Sequence, residues 1–194
     1  MKKCLFLGYN SRQTSLISFL KKKGYELKNY KKTPNVKEFL NSDLIISFGF
    51  RHIIQQNILK KIKKKIINIH LSYLPYNRGA HPNFWSFIEG TPSGISIHYI
   101  DKGIDTGNVI LRKKILFNIN SSKYSTFKKT YNYLFKEAEN IFIKNFVKIE
   151  KNNLKVKKIS YKGSFHYKKD LPIWVNNWNM KIQDACKIYN KKLC

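Results

Sequence analysis

Short apolar runs alternate with helical patterns over the first 70 residues of this chain. Each run has the length of a strand, and residues 43–49 are apolar enough to be buried on both faces. Strands that alternate with helices predict an α/β fold with a Rossmann-like, doubly wound and mostly parallel sheet. The predicted strands are residues 3–8, 25–30, 43–49 and 65–70, and the predicted helices are residues 12–23 and 34–40.

The pattern changes after residue 90. Residues 94–100 and 109–117 alternate as strands, and we expect them to extend the sheet with antiparallel members. Residues 125–150 place apolar side chains at helical spacing, which predicts a long helix with one wide core-facing side. Residues 154–167 alternate loosely like a hairpin, and residues 179–189 resemble a terminal helix.

The length of 194 residues leaves room for one ordinary domain with its own core. We expect a main domain over residues 1–150 and a small C-terminal appendage of hairpin and helix over residues 151–194. No apolar run reaches the roughly 18 residues of a membrane-spanning helix, and the first apolar stretch is too short for a signal peptide. A cytoplasmic protein is therefore expected. The three cysteines lack metal-ligand spacing, so no metal site is predicted.

The formal net charge of +27 is typical of nucleic-acid binding, but its make-up weakens that interpretation. The chain has 34 lysines and only four arginines, whereas recognition of phosphates and bases favours the planar guanidinium. Because the lysine excess is spread through the whole chain, it indicates a general bias in amino-acid composition. A basic surface that attracts a polyanion or an anionic substrate stays an open alternative, and the lysine-rich residues 60–65 are the place to test it.

Polar residues with catalytic chemistry cluster near the predicted strand ends. Asn68 and His70 lie two apart at the end of one strand, so their side chains share a face. Asp105 lies in a later loop, and His98 is on the strand that leads to it. Ligands of open parallel sheets bind beyond the carboxyl ends of strands, where these groups can converge. These residues also have structural alternatives. His70 and His98 could be hydrogen-bonded structural residues, and Asp105 could be a turn residue.

The joint pattern resembles the signature of formyltransferases that use a 10-formyl folate. This group includes the glycinamide ribonucleotide, methionyl-tRNA and nucleotide-amino-sugar formyltransferases. The resemblance covers residues 45–115, and Ser96 stands where Thr is commoner. The matching motifs are Asn68-Ile69-His70, Ser72-Tyr73-Leu74-Pro75, Arg78-Gly79, Gly94-Ile95-Ser96-Ile97-His98 and Ile104-Asp105-Thr106-Gly107.

The resemblance implies an enzyme that moves a formyl group from 10-formyltetrahydrofolate, its cosubstrate, to an amine. In that reaction a tetrahedral intermediate develops negative charge on oxygen, which Asn68 and His70 would stabilise. Asp105 would relay the proton of the attacking amine together with His70. His98 would orient Asp105. No metal is required.

The resemblance also implies where the ligands bind. The pterin is expected along the 48–54 segment and the 103–107 loop. The expected folate-binding residues are Phe48, Gly49, Arg51, Ile53, Gly103 and Ile104, and the candidate acceptor-binding residues are Ser72, Arg78 and Trp85. Arg78 could equally brace its loop, and Trp85 could belong to the core. The tail aromatics could stack on a nucleotide base, pack, or form a dimer interface: Tyr161, Phe165, His166 and Tyr167.

The favoured acceptor is a nucleotide-linked amino sugar, because the loop from Ser72 to Trp85 looks most like that of the sugar enzymes. We also expect the chain to lack room for the separate C-terminal domain that methionyl-tRNA formyltransferases use on tRNA. Methionyl-tRNA and glycinamide ribonucleotide formylation are the rivals within the class. A non-catalytic basic protein that binds nucleic acid is the rival outside it. We expect neither a membrane nor a specific nucleic acid as partner, and a homodimer is left open.

Overall fold

The computed structural model describes residues 1–159 and 162–189. A main sheet has the strand order β2-β1-β3-β4-β6-β7, and β5 pairs with β8 in a separate two-stranded sheet. The strands are β1 (Lys2–Gly8), β2 (Tyr25–Tyr30), β3 (Leu44–Phe48), β4 (Ile66–His70), β5 (Arg78–Gly79), β6 (Gly94–Tyr99), β7 (Val109–Lys114) and β8 (Phe165–His166). The helices are α1 (Leu16–Lys22), α2 (Val36–Leu40), α3 (Gln56–Lys61), α4 (Pro82–Ile88), α5 (Phe127–Glu150) and α6 (Ile182–Ile188).

In the main sheet β2, β1, β3 and β4 are parallel to one another, and β6 and β7 pair antiparallel to each other. β1 pairs in parallel with β2 and with β3, and β3 pairs in parallel with β4. The backbone N–H of Ile100 donates to the carbonyl oxygen of Ile66 at 2.8 Å, so the end of β6 lies beside the start of β4. The predicted Rossmann-like sheet, mostly parallel with antiparallel members, is confirmed.

Local sequence explains several element boundaries. Every residue of β3 is buried, as expected for a strand covered on both faces. α1 begins at residue 16, later than predicted, because the backbone N–H of Thr14 donates to the carbonyl of Asn10 in a preceding turn. Asn35 caps α2 by accepting a hydrogen bond from the Glu38 backbone. The sequence interpretation missed α3, whose six residues are too few to display a helical period.

The chain forms two compact units that are interleaved along the sequence. The first contains residues 1–70, 97–111 and 139–158, and the second contains residues 71–96, 112–138 and the described residues from 159 onward. The core of the first unit includes Leu5, Leu7, Phe39, Ile45, Ile54 and Ile66. The core of the second includes Phe84, Trp85, Ile88, Phe127, Ile182, Ala185 and Cys186. The division of the chain at residue 150 stays a prediction.

The C-terminal segment differs from the hairpin that its alternation predicts. Lys157 pairs with Val109 in an antiparallel bridge, whereas β8 pairs in parallel with β5. The described residues of 154–167 therefore find strand partners elsewhere in the chain, because alternation indicates a strand without naming its neighbour. The predicted terminal helix is present as α6. Among the described residues, no helix is both long and apolar enough to cross a bilayer.

Candidate active site

β4 and β6 bring Asn68 and His98 together. His98 lies two residues before Ile100, and Asn68 lies two residues after Ile66, to which Ile100 is hydrogen-bonded. In this antiparallel register the two side chains face each other, and Asn68 Nδ2 is 3.0 Å from His98 Nε2. The spacing of Asn68 and His70 on one strand was visible in the sequence, but the contact of Asn68 with His98 was not.

The loop between β6 and β7 carries Asp105 back toward β4. The Asp101 carboxylate accepts hydrogen bonds from the backbone N–H of Gly103 at 3.0 Å and from Thr106 Oγ1 at 2.6 Å. A side chain on Gly107 would overlap the carbonyl oxygen of Tyr99, so only glycine allows this approach. Asp105 itself has a φ of 52°, a left-handed conformation that Asp tolerates better than most residues. The loop is thus held in place by its own contacts.

Asp105 lies within reach of three polar side chains. Its Oδ1 accepts from Asn68 Nδ2 at 3.2 Å and is 3.4 Å from His98 Nε2, while its Oδ2 is 3.6 Å from His70 Nε2. The His98 side chain is 1% exposed, and those of His70 and Asp105 are 10% and 13% exposed. In a site with so little solvent exposure, charges and hydrogen bonds act more strongly than they do in water. The structure therefore brings together all four predicted catalytic and positioning residues.

The hydrogen bonds of His98 indicate its tautomer. Its Nδ1 is 2.9 Å from the carbonyl oxygen of Tyr99, which can only accept, so Nδ1 carries the proton. The other ring nitrogen then accepts from the amide of Asn68. His98 Nε2 thus lies near both Asn68 Nδ2 and Asp105 Oδ1, and the resemblance implies that His98 orients Asp105. Its role in catalysis stays a prediction.

The residues expected to bind folate differ in exposure. Phe48 is in the core, with its ring edge-on to Tyr9 at 5.0 Å. Gly49 has a φ of 68°, and a side chain there would overlap the Tyr9 ring. By contrast, two large apolar side chains are left in solvent: Ile53 is 72% exposed and Ile104 is 38% exposed. Arg51 and Gly103 are exposed as well. Exposed apolar side chains of this kind suit contact with an aromatic ring system.

Two of the three residues expected to bind the acceptor are buried in the second unit. Ser72 is 2% exposed and donates to the carbonyl oxygen of Tyr76 at 2.7 Å. Trp85 is 3% exposed and belongs to the second core, which favours the packing alternative. Arg78, on β5, is half-buried and lies 6.0 Å from the centroid of the Phe165 ring. Direct contact of these residues with an acceptor stays a prediction.

Two further residues hold the loop after β4 in place. Ser96 Oγ accepts from the backbone N–H of Leu74 at 3.0 Å and donates to the carbonyl oxygen of Ser72 at 2.8 Å. A hydroxyl is what this position needs, so serine can replace the commoner threonine. The guanidinium of Arg112 donates to the carbonyl oxygen of Leu74 and lies 4.2 Å from the centroid of the Tyr73 ring. The sequence interpretation missed Arg112, although the scarcity of arginine in this chain could have drawn attention to it.

The part of the chain that the structure describes holds no group of three or more His, Cys, Asp or Glu side chains suited to a metal ion. Asn68, His70 and Asp105 can supply a hydrogen-bond donor, an imidazole and a carboxylate to one small reacting group. That set suits proton transfer to and from a nucleophile, together with stabilisation of an oxyanion.

A family model described as formyl transferase matches residues 2–144, which include this whole cluster. The chain belongs to the formyl transferase family. Its fold is similar to that of the formyltransferase PseJ from Anoxybacillus kamchatkensis, with a TM-score of 0.84 and 35% identity over 93% of this chain and 96% of that one. That protein was crystallised with UDP-4,6-dideoxy-4-formamido-L-AltNAc and tetrahydrofolate.

Curated members of the family are similar over shorter stretches. Methionyl-tRNA formyltransferase of Finegoldia magna is 42% identical over 77 residues, which are 39% of this chain and 25% of that protein. GDP-perosamine N-formyltransferase of Brucella melitensis is 32% identical over 103 residues, which are 53% of this chain and 40% of that protein. The chain thus spans about a quarter to two fifths of the length of these curated relatives.

Proposed function

We propose that this formyltransferase moves a formyl group from 10-formyltetrahydrofolate to the amine of a nucleotide-linked amino sugar. The observation that carries the proposal is the match to PseJ over nearly the full length of both chains, because it extends beyond the catalytic motifs into the C-terminal residues. PseJ holds a formamido sugar nucleotide and tetrahydrofolate. The cluster of Asn68, His70 and Asp105 supports the reaction type independently.

The chemistry assigns one task to each group of the cluster. The acceptor nitrogen attacks the formyl carbon, a new C–N bond forms, and the carbonyl electron pair moves to oxygen. Asn68 Nδ2, which donates to Asp105 in this structure, would donate to that oxygen, with His70 beside it. Asp105 would take the proton that the acceptor nitrogen loses. The intermediate then breaks its bond to the folate nitrogen, which gains a proton through the same relay.

Formylation of methionyl-tRNA is the second candidate. The identity of 42% to a methionyl-tRNA formyltransferase favours it, as does the high positive charge. The matched stretch is confined to 77 residues, which include no more than a quarter of that relative. Residues shared over such a stretch support the common formyl-transfer step and say little about the acceptor. We therefore favour the sugar nucleotide.

A panel of acceptors tests the proposal. Purified protein is incubated with 10-formyltetrahydrofolate and with UDP-, GDP- and dTDP-linked 3-amino and 4-amino sugars, and in parallel with charged initiator tRNA. We expect at least one sugar nucleotide to gain the mass of one formyl group in place of one hydrogen. Formylation of the tRNA alone, with every sugar unchanged, would replace the proposal with the second candidate.

Two further proposals concern the compartment and the oligomeric state of the protein. We propose a cytoplasmic protein, because both proposed substrates are small polar metabolites. We also keep the homodimer as a proposal, which sedimentation velocity at micromolar concentration would test. A single monomeric species across the concentration range would exclude it.

A further inference from the structure

A basic groove lies beside the loop that carries Asp105. It has a volume of about 350 Å³ and is formed by α3, the segment that follows it, and residues 100–102. Five lysines line it: Lys60, Lys63, Lys64, Lys65 and Lys102. Apolar side chains such as Ile62 and Ile66 form part of the same lining. An anion with apolar stems between its charges would complement such a surface.

Most of the positive charge in this groove is not neutralised by the protein. The carboxylate of Asp101 points into its own loop, where it accepts hydrogen bonds from Gly103 and Thr106. Lys64 is engaged outside the groove, with its Nζ 2.7 Å from the carbonyl oxygen of Ser42 and 3.4 Å from the Asp43 carboxylate.

The other four lysines of the groove are Lys60, Lys63, Lys65 and Lys102, and all are exposed. Within the described residues, no carboxylate lies within 4.0 Å of their ammonium groups. Lys65 lies over the Tyr99 ring, with its Nζ 4.6 Å from the centroid. Several like charges along one groove raise the local concentration of anions.

The groove and the proposed folate site share the loop between β6 and β7. Lys102 directly precedes Gly103 and Ile104, two of the residues expected to contact the cosubstrate. The same short loop runs from Asp101, in the lining, to Asp105, beside Asn68. A folate that lies against this loop and directs its free end, which is a glutamate, toward Lys102 would bring that end to the groove.

We propose that this groove binds the γ-linked glutamate tail of a polyglutamylated 10-formyltetrahydrofolate. The inference rests on the proposed function for the identity of the cosubstrate. Each added glutamate contributes one carboxylate on a short apolar stem, and flexible lysines act as point charges that adapt to such spacing. Single-stranded nucleic acid would be expected to add stacking aromatics, whereas the lining consists of lysines and aliphatic residues with one Gln and one Asp.

The test compares folates that differ only in tail length. Calorimetric titration gives the Kd of tetrahydrofolate monoglutamate and pentaglutamate for the whole chain, and it requires no acceptor. We expect the pentaglutamate to bind about tenfold more tightly, since a few exposed ion pairs each contribute modestly. Raising the salt concentration should remove most of this preference.

A matched pair of variants locates the effect. The groove variant is Lys60→Gln, Lys63→Gln, Lys65→Gln and Lys102→Gln. The control removes the same number of exposed charges elsewhere in the first unit, as Lys21→Gln, Lys22→Gln, Lys31→Gln and Lys32→Gln. For the groove variant, the Kd values of both folates should be close to the Kd of the monoglutamate for the wild-type protein. The control should keep the preference.

The outcomes separate this inference from the proposed function. Equal binding of both folates by the wild-type protein, or an unchanged preference in the groove variant, would overturn the inference and leave the cosubstrate intact. Failure of both folates to bind would overturn the cosubstrate and the inference together. An RNA oligonucleotide that loses affinity in the groove variant, while the tail length has no effect, would assign the groove to nucleic acid instead.

Discussion

His166 lies flat against Trp85, with the ring centroids 4.0 Å apart and the ring planes inclined by 9°. The contact depends on the parallel pairing of β8 with β5, in which Gly79 lies opposite His166. His166 Nε2 is also 3.2 Å from a carboxylate oxygen of Glu89. The C-terminal segment is therefore packed into the second core through this ring pair.

We predict that His166→Ala lowers the free energy of unfolding by about 1–2 kcal/mol, because it removes a stacked aromatic partner from a buried Trp. Urea denaturation measures the change. Ile173→Ala is the control from the same segment, because Ile173 is fully exposed at 101%, and it should change the free energy by less than about 0.5 kcal/mol. Equal stabilities of the two variants would show that the ring pair contributes nothing.

Catalysis should depend on the cluster around Asp105. Asp105→Asn keeps the shape of the side chain and removes its charge, while Asn68→Ala and His70→Ala remove the groups beside the oxyanion. Each should lower kcat by about a hundredfold or more, the scale of single acid-base and oxyanion groups. Asp184→Asn, an exposed carboxylate on α6, should leave kcat unchanged. Near-normal turnover by folded His70→Ala would refute the assignment.

Gly107 should be required for the position of the Asp105 loop. In Gly107→Ala the new Cβ would overlap the Tyr99 carbonyl oxygen, so the loop must shift and carry Asp105 with it. We expect kcat to fall by about tenfold to a hundredfold, because small displacements of reacting groups slow catalysis by such factors. Gly24→Ala is the control, since Gly24 has a φ of 84° but open space around it. It should cost about 1 kcal/mol of stability and no activity. A fully active Gly107→Ala enzyme would contradict this account.

The carboxylate of Glu150 should make stability depend on pH. Hydrogen bonds from Lys2 at 2.8 Å and from Tyr25 at 2.7 Å lower the pKa of Glu150 below its ordinary value. The stabilisation is therefore fully present above the unfolded-state pKa, about 4.3, and is lost as the pH falls through the lower folded pKa.

We expect Glu150→Gln to unfold about 1 kcal/mol more easily at pH 7, and we expect this difference to shrink as the pH falls below the unfolded-state pKa. Urea titrations at pH 7, 5 and 3 test this. A difference between variant and wild type that stays constant across this range would mean that the charge of Glu150 is not its source.

The regular parts of the fold could be predicted because their signals are local. Residues 43–49 form an apolar run long enough for one buried strand, and the structure places β3 there. Residues 125–150 display their helical period over several turns, and α5 occupies Phe127–Glu150. The short α3 has too few residues for a period, and it was missed.

The candidate site was predictable as a set of residues but not as an arrangement. Asn68 and His70 could be placed on one face because a strand has a period of two. The conformation of Asp105, with a φ of 52°, and the close approach of Gly107 to Tyr99 could not be inferred from periodicity. Nor could the contact between Asn68 and His98 be inferred in that way.

By itself the sequence determined the elements of the main sheet, the motifs of the family and the residue types available for chemistry, since these follow from side-chain periodicity and identity. Only the tertiary structure decided which strands pair. It joined β8 to β5 where the alternation predicted a hairpin, and it turned Asp105 toward Asn68. The physical reason is that backbone donors and acceptors are alike in every strand, so a strand can pair with any exposed neighbour. The choice is made by packing between residues far apart in the chain, such as Trp85 and His166.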